Sequence, residues 1–89
     1  MYEKVIEKYG VEHQSRQAME EAAELIQAIN KALRYPTPAA RGRLIEEIVD
    51  VEIMLQQLKE IYTISPDELR IMRNYKNERL LNRVCQKES

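Results

Sequence analysis

Two stretches, Glu20-Glu21-Ala22-Ala23-Glu24 and Glu46-Glu47-Ile48-Val49-Asp50, each place an acidic pair three residues apart inside a run whose apolar residues recur at helical period. Three residues advance a helix by about 300°, so both carboxylates of a pair leave the same side of the rod. Two such pairs on two neighbouring helices make one cage of four carboxylates. Like charges held together repel unless something positive sits between them. An all-oxygen cage suits a hard divalent cation such as Mg²⁺, with Mn²⁺ as a substitute.

The rest of the chain supplies the helices this cage needs. Tyr2, Val5, Ile6 and Tyr9 mark one face of a short helix that Gly10 closes. A second helix is expected from about His13 to Leu33, with Ala18, Met19, Ala22, Leu25, Ile26, Ile29 and Leu33 as a wide apolar stripe. Gln14, Gln17, Glu21, Glu24 and Lys31 recur along a neighbouring polar face, and one Glu-x-x-Glu on such a face is ordinarily just solvated. Tyr35-Pro36-Thr37-Pro38 breaks the helix, because two prolines in three residues cannot lie inside one. Thr37 can cap the next helix with Pro38 at its first position, although Gly42 weakens the first turn and is expected to delay the start. So short a loop makes its flanking helices antiparallel.

The third helix, ending near Ile61, is apolar almost all the way round: Leu44, Ile48, Val51, Leu55, Leu58 and Tyr62 form one stripe, and Ile45, Val49, Ile53 and Met54 widen it. Such a helix is expected to be buried, centrally or between subunits. Glu47 and Asp50 in its middle are then costly to leave unpaired, and a solvated face no longer accounts for them. Ser65-Pro66-Asp67-Glu68 starts the last helix as a capping box, and Leu69, Met72, Tyr75 or Lys76, Leu80 and Val84 trace its expected inner stripe to about Cys85. Asp67 and Glu68 suit the positive end of that helix and need no other role. The reading is one all-α domain over residues 1–89: an antiparallel bundle of a short N-terminal helix and three long ones, completed by oligomerisation. A chain of 89 residues buries too little of its own surface to make a generous core.

Composition narrows the function. The net charge of −1 argues against general nucleic-acid binding, yet Arg70, Arg73, Lys76, Arg79, Arg83 and Lys87 make the last helix basic. Lys76, Arg79 and Arg83 share one strip; such a strip commonly serves only solubility, but beside an acidic cage it suits a metal-bound anionic ligand. Cys85 stands alone, which excludes a disulfide framework and a cysteine-rich zinc site. His13 is the one histidine and follows no Glu at Glu-x-x-His spacing, so neither a di-iron carboxylate bundle nor a His-based zinc site is expected; it reads as a helix-start or surface residue. No Gly-rich phosphate loop is present. Met1-Tyr2-Glu3-Lys4 leads into no apolar signal core and no stretch is long enough to span a bilayer, so no membrane role and a cytoplasmic location are expected. What remains is metal-assisted hydrolysis of a phosphoanhydride: a metal-activated water as nucleophile, with phosphate charge neutralised by the ion.

The order Glu20-Glu21-x-x-Glu24, a Pro-rich loop, then Glu46-Glu47-x-x-Asp50 resembles the MazG-like all-α nucleoside triphosphate pyrophosphohydrolases. The likeness takes in the short first helix ending at Gly10, Gln14 seven residues before the first acidic ligand, the runs EEAAELIQAINK and LIEEIVDVEIMLQQL, and the basic YKNERLLNRV. It implies metal ligands at Glu21, Glu24, Glu47 and Asp50, and hydrolysis of an NTP or dNTP to the monophosphate and pyrophosphate by attack of a Mg²⁺-bound water on the α-phosphorus. It also implies a helical bundle that assembles as a homodimer or homotetramer. Lys76 and Arg79 are the residues chosen for phosphate contact, followed by Gln14 and Lys31. The chain departs from the pattern in having no Trp or Phe, which some relatives use to sandwich the base. The related phosphoribosyl-ATP pyrophosphohydrolases share the architecture, but Val-Glu-Ile-Met after Asp50 does not carry their downstream pattern. The alternative reading is a non-catalytic helical module that binds a nucleotide or a protein, motivated by small size and the broadly apolar third helix.

Overall fold

A computed structural model describes residues 1–88, with side chains through Gln86, so the Lys87 side chain lies outside the described range. The described chain is helical throughout, with no strand: α1 (Glu3–Tyr9), α2 (Val11–Arg34), α3 (Pro38–Ile61) and α4 (Pro66–Glu88). Gly10 joins the first two by serving both. Its N–H donates to the Ile6 carbonyl at 2.7 Å and its own carbonyl accepts from Gln14 at 3.1 Å. It can do so at φ +91°, a conformation that costs glycine little. The second helix therefore starts at Val11, earlier than the expected His13. The His13 ring stacks on Tyr9 at 5.1 Å, which pins the α1–α2 corner and gives the histidine a structural place at a helix start.

The turn between α2 and α3 follows from its capping chemistry. Thr37 is extended, its Oγ1 accepts from the Ala40 N–H at 3.1 Å, and Pro38 is the first helical residue. The helix runs through Gly42 without delay. A threonine cap and a pre-set proline, together worth about 1–2 kcal/mol, outweigh the roughly 1 kcal/mol that one helical glycine costs. The paired helices run antiparallel: Gln14 near the start of α2 meets Gln57 near the end of α3, Glu21 meets Glu47 and Asp50, and Lys31 shares a cavity with Ala40. The seam between them is thin. Ala28 and Met54 are its fully buried apolar residues, and the others are polar: Gln14, Glu47 and Gln57. The short α1 packs against both long helices.

At the other end α3 closes in a Schellman arrangement. The Ile64 N–H donates back to the Lys59 carbonyl at 2.9 Å and Thr63 takes the left-handed position, φ +52°, where glycine is usual. The α4 capping box forms as the sequence specifies: Ser65 N–H to Glu68 Oε2 at 2.7 Å, and Glu68 N–H to Ser65 Oγ at 3.1 Å. Yet among the described residues α4 packs against none of the other three helices. Met72, Leu80 and Val84 of its expected inner stripe are exposed, and so are Ile45, Ile48, Val49 and Leu55 on α3. Within the single chain the described helices do not close a bundle and α3 is not covered on all sides: local signals set where each helix begins but not what covers its apolar face. The accessible surface is 7453 Å², whereas a compact folded chain of this mass exposes about 5,400 Å². No helix among the described residues is long and apolar enough to cross a membrane.

Candidate functional site

The antiparallel pairing brings the two acidic motifs face to face halfway along the seam. One carboxylate oxygen from each of Glu21, Glu47 and Asp50 lies within 4.8 Å of the others. Helical period explains the grouping. Glu47 and Asp50 are one turn apart on α3, and Glu21 of α2 stands opposite them. Glu24, the fourth residue of the motif, is not in this group; it lines an adjoining cavity with Gln27, Ala28, Lys31 and Arg43.

Glu47 is the centre of the cluster and its most buried member, at 2% exposure. Its Oε1 forms an ion pair with Arg43 Nη2 at 3.0 Å, one turn earlier on the same helix, while its Oε2 has no hydrogen-bond partner. The Oε2 of Glu21 is likewise buried and unpartnered; its Oε1 takes a bond from Gln17 Nε2 at 3.2 Å. A buried, unsatisfied carboxylate oxygen loses its hydration without compensation. Burial accordingly raises the Glu47 pKa above its ordinary 4.5. The Arg43 guanidinium pulls it down, and the charges of Glu24, Asp50 and Glu21 push it further up. Two orphan oxygens in a converging acidic group could be satisfied by a divalent ion, which would also offset the mutual repulsion. Glu21, Glu47 and Asp50 could hold it, with Glu24 at the rim.

The remaining candidates lie in three different settings. Gln14 is inside the seam, at 4% exposure. Its Nε2 donates to Gln57 Oε1 at 2.7 Å and its Oε1 pairs with the His13 ring at 2.7 Å. This fixes it as a buried link between α2 and α3, two turns from Glu21. Lys31 is exposed on the wall of the cavity beside Glu24. Lys76 and Arg79 are on α4, which touches none of the helices that carry the acids, and the Arg79 guanidinium lies 5.7 Å over the Tyr75 ring. The structure thus does not bring the basic strip to the acidic cluster within one chain. Sequence reasoning missed Arg43 and Gln57. Arg43 had a signal, since it stands four residues before Glu47, the spacing of a helical ion pair. Gln57 had only its helical spacing, three residues after Met54. No family model, curated protein or solved structure matches this chain.

Proposed function

We propose that the protein is a Mg²⁺-dependent nucleoside triphosphate pyrophosphohydrolase, converting an NTP or dNTP to the monophosphate and pyrophosphate by attack of water on the α-phosphorus. The observation that carries this reading is the buried Glu47 carboxylate with an unpartnered Oε2, set within 4.8 Å of oxygens from Glu21 and Asp50. When bound, a divalent ion supplies Lewis acidity that lowers the pKa of a coordinated water and offsets phosphate charge. The chain's own part is to converge three carboxylates from two rigid helices. Glu47 and Glu21 are held by Arg43 and Gln17 through one oxygen each and keep the other oxygen for a ligand. A carboxylate of this set accepts the proton that the attacking water gives up, as general base.

The same reading includes self-association as a homodimer or homotetramer. It is supported by about 2,000 Å² of surface beyond that of a compact chain, comparable with what one subunit of an obligate dimer buries. A second copy whose α4 lay along α2 and α3 would cover their exposed apolar residues and carry Lys76 and Arg79 towards the acids. The exposed apolar face also favours the second reading, a non-catalytic binding module. Incubation with a panel of NTPs and dNTPs plus Mg²⁺ in ¹⁸O-labelled water separates the two. The expected products are pyrophosphate and a monophosphate that carries the label. Absence of pyrophosphate from every nucleotide, with tight metal-independent binding of a partner, would leave the module.

A further inference from the structure

The Glu47–Arg43 pair borders a hollow that the acidic motif does not explain. The cavity, about 320 Å³, is lined by Glu24, Gln27, Ala28, Lys31 and Arg43. It lies between the same two helices as the acidic group and opens one turn along from it, and it draws two cationic side chains from opposite walls. Lys31 comes from the C-terminal half of α2, and Arg43 from the N-terminal part of α3. Arg43 is 56% exposed and pairs with two acids, Nη2 with Glu47 Oε1 at 3.0 Å and, more loosely, Nη1 with the exposed Glu46 Oε2 at 3.9 Å, and a guanidinium's five N–H groups leave it donors beyond these two contacts. A guanidinium suits two kinds of partner, carboxylate and phosphate, with the same bidentate geometry.

We infer that this cavity is a polyphosphate subsite, and that Arg43 is shared between it and the acidic cluster. Without a cation, Arg43 is the counter-charge of Glu47. With a divalent cation on Glu21, Glu47 and Asp50, Glu47 no longer needs the guanidinium, and Arg43 turns its donors to phosphate oxygens beside Lys31. Glu24 stands in the same cavity, so a bare anion meets a carboxylate there, and polyphosphate binding requires the cation. The cation and the anion thereby favour each other through one side chain, a reciprocal coupling between two sites. The inference rests on the reading of the acidic cluster as a cation site.

Calorimetry on the intact chain tests it with Mg²⁺ alone and with inorganic tripolyphosphate at saturating Mg²⁺, on the native protein and on Arg43→Gln, Arg43→Lys, Lys31→Gln and Arg41→Gln. Arg43→Gln should bind Mg²⁺ several-fold more tightly, because a competitor for Glu47 is gone, and tripolyphosphate roughly tenfold more weakly, because a phosphate donor is gone. Arg43→Lys, which keeps the charge and secures a folded variant, should fall between in both titrations. Lys31→Gln should weaken tripolyphosphate several-fold and change Mg²⁺ affinity less than twofold. Arg41→Gln removes the same charge two residues away without touching Glu47, and should leave Mg²⁺ binding near native. If the native protein binds Mg²⁺ but Arg43→Gln neither tightens Mg²⁺ nor weakens tripolyphosphate, the shared role of Arg43 is overturned. So does Arg41→Gln matching Arg43→Gln, or tripolyphosphate that binds equally well without Mg²⁺. Failure of the native protein to bind Mg²⁺ at all would instead remove the cation site beneath it.

Discussion

Glu47 is buried, paired with Arg43 at one oxygen and within reach of the charges of three other carboxylates, and this setting shifts its pKa upward. Burial leads the upward shift, Arg43 opposes it, and Glu24, Asp50 and Glu21 add to it. A carboxyl whose folded pKa lies above its unfolded value binds its proton more tightly when native. Its contribution to stability is whole below the ordinary value of 4.5 and is lost as pH rises from there through the elevated folded pKa. Metal-free protein should therefore melt at lower temperature as pH climbs out of the acid range, and Glu47→Gln should flatten that slope in thermal scans with EDTA. The same variant, and Asp50→Asn, should abolish turnover, keep or raise metal-free stability and lose the Mg²⁺-dependent rise in melting temperature. A wild-type Mg²⁺ response in both would contradict the ligand assignment. Gln14 and Gln57 follow a different rule. Truncating one member of a buried hydrogen-bonded pair strands the other, so Gln57→Leu should cost about 1–3 kcal/mol, and the double change to Leu should recover much of it, as a double-mutant cycle in urea would show. The grouping of Glu21, Glu47 and Asp50 could be anticipated because helical period decides which side chains share a side. The displacement of Glu24 from that group, and the interior place of Gln14, depend on how two helices seat against each other, which spacing does not encode.

Among the elements, those with a chemical start or stop were the most readable. Thr37, Ser65 with Glu68, and Gly10 act through bonds within four residues of themselves, so their local sequence is sufficient. Thr37→Ala should destabilise by about 1 kcal/mol through the lost bond to the Ala40 N–H. The end of α3 carries no such sign: a β-branched Thr63 sits at φ +52°, a position that costs a non-glycine residue of order 1 kcal/mol or more. Thr63→Gly should raise stability by about 1 kcal/mol in chemical denaturation, and a loss of stability would show that the threonine is held there by something more than the turn.

For the molecule as a whole, the α2–α3 pair with α1 leaves large apolar side chains in water: Ile26 is 67% exposed and Leu33 78%. A radius of gyration of 16.6 Å exceeds the roughly 12 Å of a compact chain this long. No sequence pattern says whether an apolar helix face meets its own chain or another copy, and among the described residues α4 does not pack along any of the other three helices. Sedimentation should give the mass of a dimer or tetramer, and a paired charge on the α4 face, Leu80→Glu with Val84→Lys, should reduce it towards the monomer. The proposed assembly, hydrolysis and arginine exchange rest on one premise, that the three carboxylates brought together from two helices would share a dication. Crystals soaked in Mn²⁺ and measured at the manganese absorption edge test it directly. An anomalous peak bounded by Glu21, Glu47 and Asp50, absent from Glu47→Gln, is the predicted result. No peak there, or one that persists without the Glu47 carboxylate, contradicts it.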